Sequence, residues 1–302
     1  MYKSQRKATI YGLSTVLCWS TVATAFKLSL SYLTPLQLIL IASIASWLFL
    51  MLTLLITGKM SQLLKQSRSA YGWSFVFGCM NPVLYYLLLF SAYDALPAQE
   101  AQALNYSWAI VMTLLAVPLL SQRLSRYDIA AAIFCYIGVL MIATRGDVLG
   151  LNFANVKGVL LALASTVVWS LYWILNQRDR RDPIVGLCLN FCFALPIIIG
   201  VAYATGAIQS LVTSPWQALL GGIYVGVFEM GLAFVLWLKA MKLAENTAKI
   251  ANLIFISPFL SLILISTFLD EPILKSTLVG LCLIIAGLVI QQYYSRRLTD
   301  KQ

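Results

Sequence analysis

Glu229 stands near the middle of the apolar stretch 216–238 and is the most central ionisable residue of the 302-residue chain. A carboxylate at the centre of a membrane helix costs roughly 3 kcal/mol. Such a group can take up and release a proton in step with a bound ligand, which makes Glu229 the candidate for proton coupling. It can equally be satisfied by a neighbouring helix, or line a wet cavity without coupling. Glu100 and Lys249 lie near the starts of two corresponding stretches, 98–120 and 246–268. Opposite ends of a membrane would keep them from pairing with each other. Each is a candidate gate residue, or else an interfacial side chain reaching water. The helix dipole favours an anion at the position of Glu100 and disfavours a cation at that of Lys249, which therefore needs a partner or a ligand anion.

Aromatic residues gather near the middle of several apolar stretches: Trp19, Tyr85, Tyr86, Tyr106, Trp108, Trp169, Tyr172, Trp173 and Trp237. Packing and interfacial anchoring explain many such residues, and one or other of these is the expected role of Trp237, near the end of its stretch. Trp19 and Trp169 are more central and occupy matching places. Tyr106 and Trp108 lie mid-span beside Asn105, whose amide needs a partner in lipid. An aromatic cavity with a few polar groups suits a zwitterion with an apolar side chain, because a ring face attracts an ammonium group. The expected lining is Trp19, Tyr85, Asn105, Tyr106, Trp108, Trp169 and Tyr172.

Other chemistry is poorly supplied. The chain has no histidine, and its six cysteines (Cys18, Cys79, Cys135, Cys188, Cys192, Cys282) all lie in apolar segments without a CxxC. No metal site, disulfide framework or cofactor is expected. The chain lacks GxxxxGK[ST], so no ATP-driven step is expected. Convergent nucleophiles and acids are missing, so an enzyme is not expected.

These residues must be positioned by membrane helices. Hydrophobic residues make up 61% and charged residues 11%, where a soluble domain has about a quarter charged. The apolar runs are long enough to cross ~30 Å of hydrocarbon as helices, and they do not alternate as membrane strands would. The expected spans are 8–29, 35–57, 71–92, 98–120, 126–144, 156–176, 184–204, 216–238, 246–268 and 273–293. Ten spans put both termini on one side. Of the 21 Lys and Arg, only Lys27, Arg145, Lys157 and Lys275 then fall on the other side. The positive-inside rule places both termini in the cytoplasm. The net charge of +10 is thereby explained by loops, and nucleic acid is not an expected partner because no continuous basic stripe exists. Lys3, Arg6 and Lys7 before an apolar run, with Ala23-Thr24-Ala25, resemble a secretory signal. A matching partner in the second half argues that the first span is retained.

That match is one of several at an offset near 149. Cys18-Trp19-Ser20 answers Val168-Trp169-Ser170, Ala92 answers Ala240, Gln122-Arg123-Leu124 answers Glu271-Pro272-Ile273, and Gly138 answers Gly287. Each half holds five spans, an odd number, so the second half enters the membrane in the opposite sense. The fold expected is an all-α integral membrane protein of ten transmembrane helices, arranged as two inverted five-helix repeats, 8–145 and 155–293. This plan is frequent in secondary transporters, and it occurs in channels too. Pro82, Pro118, Pro196 and Pro258 mark kinks. Gly222, Gly226 and Gly231 offer a face for close packing. Gly280 and Gly287 could face the bundle or a second copy, so monomer and homodimer both stay open.

The Trp-Ser echo, the loop before the last span of each half and the paired Gly138 and Gly287 resemble the drug/metabolite transporter superfamily, in its EamA-type ten-span branch. The resemblance covers roughly residues 8–293. Glu100 with Asn105-Tyr106-Ser107-Trp108 resembles a segment of amino-acid exporters, although Ala109 stands where that pattern has proline. Span nine keeps the repeat's proline as Ser257-Pro258. The resemblance implies a small-molecule substrate, amino acids or related metabolites with aromatic amino acids as one candidate, exported by alternating access across a bacterial inner membrane. An exporter of another metabolite or drug, or a passive facilitator, is the alternative.

Overall fold

The computed structural model describes residues 3–120, 125–150, 155–176, 178–245, 249–250 and 252–299, with side chains up to Gln291. The loop residues Gln122-Arg123-Leu124 lie outside the described residues. Among the described residues eight helices are long and apolar enough to cross a membrane: α1 (Gln5–Leu30), α2 (Pro35–Ile56), α3 (Arg68–Ala95), α4 (Ala98–Leu120), α5 (Arg126–Ala143), α6 (Val156–Asn176), α7 (Pro183–Ala204) and α8 (Trp216–Leu243). Two shorter apolar helices follow, α9 (Asn252–Phe268) and the Lys275–Gln291 part of α10. Apolar side chains cannot hydrogen-bond their own backbone, so each segment satisfies its amides internally as a helix. Caps stop and start the helices: Thr34 and Gln37 form a capping box before α2, and Asp182 accepts from Ile184 and Val185 at the start of α7. Two short helices, Ser61–Leu64 and Ala207–Leu211, occupy loops in which no element was expected.

Four helices are not regular. In α3 a π-helical segment spans Cys79–Leu84, and Asn81 has extended backbone (φ −142°, ψ 111°) before Pro82. In α8 a π-helical segment spans Val225–Ala233. α4 breaks at Tyr106 and Ser107, between Ala98–Asn105 and Trp108–Leu120. α9 opens with a 3-10 turn, Asn252–Ile256, before Ser257–Phe268. Adding the repeat offset carries the interruption of α3 into that of α8, and carries Ser107 to the neighbourhood of Ser257. The sequence runs through α4 and α9 therefore hide breaks that fall at equivalent places.

Packing separates two compact units, Met1–Phe90 with Asp179–Asp270, and Ser91–Arg178 with Glu271–Gln302. Each draws helices from both sequence halves. In the first unit α1 packs on α8 and α9, and α2 on α7 and α8. Gly226 faces α2 so closely that a Cβ would sit 2.2 Å from the Ala42 carbonyl oxygen. At one end of this unit Lys59 pairs with Asp182 at 2.5 Å. Arg181 bonds Asp179, Ser74 Oγ at 2.6 Å and the Ala70 carbonyl at 3.0 Å. Burial by itself would raise the Asp182 carboxyl, but Lys59 and the amides of Ile184 and Val185 outweigh it and hold the group below the usual carboxylate range. Asp179 is likewise held low against its burial by Arg181.

The second unit is built on the crossing of α5 and α10. A Cβ on Gly138 would lie 2.5 Å from the Gly280 carbonyl oxygen, and one on Gly280 would lie 2.6 Å from that of Gly138. Gly287 meets the Ala131 carbonyl at 2.7 Å by the same construction. The structure thus answers what Gly280 and Gly287 face, which is α5 of the same chain.

Candidate functional site

The first unit holds Trp19, Tyr85, Glu229 and Lys249. Trp19 is half-buried, with its ring 5.3 Å from that of Trp237 and 6.5 Å from Phe234. Trp237, expected to pack or to anchor at the interface, packs beside the apolar cluster of Ala8, Ala240, Leu243, Ala244 and Ile250. The reason is that α1 and α8 lie side by side, which spacing along the chain does not reveal. Tyr85 is buried against Tyr86, with ring centroids 4.8 Å apart. Tyr86 in turn donates its hydroxyl to Glu229 Oε1 at 3.2 Å. The second oxygen of Glu229 is buried and has no hydrogen-bond partner among the described residues. Both groups lie at helix interruptions: Tyr86 is the second residue after the π-helical segment of α3, and Glu229 sits inside that of α8. Lys249 is exposed, in the helical turn before the 3-10 segment of α9.

The second unit holds Glu100, Asn105, Tyr106, Trp108, Trp169 and Tyr172. Glu100 is 1% exposed and accepts from Arg145 Nε at 2.7 Å, so it does not reach water as an interfacial side chain would. Arg145 has a left-handed backbone, φ 50°, beside Gly146 at φ 96°. The start of α4 is also tied to the segment before α10. Ala98 N donates to Glu271 Oε1 at 3.1 Å, Gln99 Nε2 donates to the Pro272 carbonyl at 2.8 Å, and Leu274 N donates to Gln99 Oε1 at 2.9 Å. Asn105 finds its partner in Ser165 Oγ of α6, at 3.1 Å. Trp169 stacks on Tyr172 at 5.7 Å, and Trp173 meets Trp169 edge-on at 5.7 Å. Tyr172 is buried, whereas Tyr106, Trp108 and Trp169 are half-buried beside the α4 break.

The Trp-Ser echo now has a geometric meaning. Ser20 Oγ donates to the Val16 carbonyl at 2.7 Å and lies 3.5 Å from Ser257 Oγ, where α9 changes from 3-10 to α. Ser170 Oγ lies 2.7 Å from the Thr166 carbonyl and 2.8 Å from that of Trp108, where α4 resumes. Each serine therefore seats an interrupted helix, and each preceding tryptophan is left half-buried. Sequence reasoning missed Tyr86, Arg145 and Ser165 as partners. Tyr86 carried a signal, an aromatic hydroxyl just after a proline in an apolar run; the other two carried none.

Among the described residues no three His, Cys, Asp or Glu side chains gather as a metal ligand set, and the six cysteines are free thiols. Apolar helices interrupted at matching places, with aromatic and isolated polar groups beside the interruptions, define a membrane transporter. Residues 6–144 and again 156–291 match the EamA-like transporter family, and the chain belongs to that family. It is a multi-pass membrane protein and not an enzyme. It is 26% identical over 305 residues to the aromatic amino acid exporter YddG of Ancylobacter novellus, covering 97% of this chain and 100% of that one. A probable amino-acid metabolite efflux pump of Salmonella typhimurium is 26% identical over 207 residues, covering 66% of this chain and 68% of its own. An uncharacterised transporter, YvbV of Bacillus subtilis, is 25% identical over 279 residues, covering 91% and 88%. One solved crystal structure shares the fold at a TM-score of 0.64 and 24% identity, across 98% of this chain and 99% of that one.

Proposed function

We propose that this chain is a secondary transporter that exports amino acids or related small metabolites across a bacterial inner membrane, by alternating access between two inverted repeats. The observation that carries the reading is the paired placement of Trp19-Ser20 and Trp169-Ser170, each serine against an interrupted helix. Interrupted helices free backbone groups for a ligand, and repeats that meet their interruptions in the same way can exchange roles. Trp19, Tyr85, Asn105, Tyr106, Trp108, Trp169 and Tyr172 are proposed to line the substrate path, offering ring faces to an ammonium group and its apolar side chain. The whole-length similarity to an aromatic amino acid exporter favours that substrate class.

Glu229 is proposed as the proton-coupling residue, since one of its oxygens is buried without a partner among the described residues. Glu100 with Arg145 is proposed as one gate and Lys249 as part of the other. The excess of Lys and Arg on the side of both termini supports a cytoplasmic location for those termini.

The test is efflux from cells preloaded with labelled amino acids. Faster efflux of a few compounds, abolished by Trp169→Ala at unchanged membrane abundance, is the expected result. Unchanged efflux across the panel would remove amino-acid export and leave another metabolite or drug as cargo. In the same assay Glu229→Gln is expected to abolish stimulation by a proton gradient; a gradient response equal to that of the unaltered protein would remove Glu229 from coupling.

A further inference from the structure

Within the first unit α1, α8 and α9 enclose a groove of about 550 Å³. Its mouth is at the ends of the helices, by Tyr32 and Gln217, with the exposed Trp216 next in sequence. Its other end is bounded by Thr21 and Tyr224, whose hydroxyls bond each other at 2.7 Å. Between these lie Leu28, Leu220 and Phe268, and no charged side chain lines the groove.

The dimensions select the occupant. From Thr21 to Leu30 the helix rises ~14 Å, with Tyr32 in the turn just beyond its end, and half of the bilayer's hydrocarbon is ~15 Å. The groove therefore runs from the interface to the midplane, the depth of one leaflet. Tyr and Trp at the mouth are the residues that settle at a headgroup boundary. The Thr21 and Tyr224 hydroxyls satisfy each other, and the Thr24 hydroxyl, which has no partner among the described residues, is the exception in this lining. Ile10 and Leu17, 55% and 62% exposed, lie on the same face of α1 as Thr21 and Leu28. Ile10, Leu17 and Leu28 thus present exposed aliphatic side chains on one face of a membrane helix, so the groove is a recess in a surface suited to lipid.

We propose that this groove seats one acyl chain of a phospholipid from the leaflet on the side of Tyr32, with the headgroup beside Gln217. The chain tip reaches Thr21, the residue after Ser20, and Tyr224, the residue before the π-helical segment of α8. Bound lipid therefore braces α1 against α8 next to both interruptions. This inference stands apart from the export reading, because its readout is lipid retention and not efflux.

The experiment is native mass spectrometry of the full chain released from nanodiscs of palmitoyl-oleoyl phosphatidylglycerol or phosphatidylethanolamine. The unaltered chain is expected to keep about one phospholipid of either headgroup. Ala25→Phe, which fills the groove wall, and Leu220→Trp, which fills its exposed rim, are expected to lower retention roughly tenfold at an unchanged unfolding midpoint. The second variant decides the matter if the first does not fold. Equal retention by the unaltered and filled proteins, or none by the unaltered protein, overturns the proposal. Displacement of the lipid by an aromatic amino acid also overturns it and marks the groove as a substrate portal.

Discussion

Glu229 receives a hydrogen bond from Tyr86 on one oxygen, while its other oxygen has no partner among the described residues. Removing the Tyr86 hydroxyl strips a buried carboxyl of that donor, which costs about 1–3 kcal/mol. Tyr86→Phe is thus expected to lower the thermal unfolding midpoint of the detergent-purified protein. An unchanged midpoint would mean that the bond contributes nothing. At the same scale, Asp182 links acidity to stability. Its carboxyl is held below the usual range in the folded chain, so its contribution is present above the ordinary aspartate pKa and is lost as pH falls through the folded value. Lys59 is about a third exposed (35%), so the pair is worth about 1 kcal/mol or less. Asp182→Asn should therefore flatten part of the fall in unfolding midpoint below about pH 4; an acid limb identical to that of the unaltered protein would refute this. Glu229 was legible in the sequence because an acid inside an apolar run stands out locally. Tyr86 was not, since the two residues are 143 positions apart and only packing brings them together.

At the scale of elements, the helices are held by close backbone approaches. A side chain at Gly226 would collide with the Ala42 carbonyl, whereas Gly200 on α7 has nothing within 4 Å of its Cβ position. Gly226→Ala is expected to destabilise by about 1–3 kcal/mol through overpacking. Gly200→Ala should be neutral or stabilising by roughly 0.5–1 kcal/mol, because glycine is a poor helix former. Unfolding midpoints of the two variants check this pair, and equal loss in both would contradict the packing seen here. Helix existence was readable from apolar runs, and the interruption at Pro82 had a covalent cause. The break at Tyr106–Ser107 has no glycine or proline to announce it. It arises where α4 meets α6, with the Trp108 carbonyl taken by Ser170 and Asn105 bonded to Ser165.

At the scale of the whole molecule, orientation in the membrane is the property most open to test. In the proposed topology, with both termini in the cytoplasm, Lys65 and Asp147 face opposite compartments. In a cysteine-free background, a membrane-impermeant maleimide is expected to label Asp147→Cys in spheroplasts and Lys65→Cys only after lysis. The reverse pattern would invert the topology.

The long apolar helices and the echo of one half in the other, each matching the same family, follow from the sequence alone. They depend on run length, residue type and order, and the bilayer reads those properties one segment at a time. Only the tertiary structure decided that Gly280 faces α5, that Trp237 lies on Trp19, that Glu100 is paired with Arg145 and that each compact unit mixes helices of both halves. In hydrocarbon all apolar helix faces are nearly equivalent. The choice of neighbour then rests on small differences in shape and on a few hydrogen bonds between residues far apart in the chain.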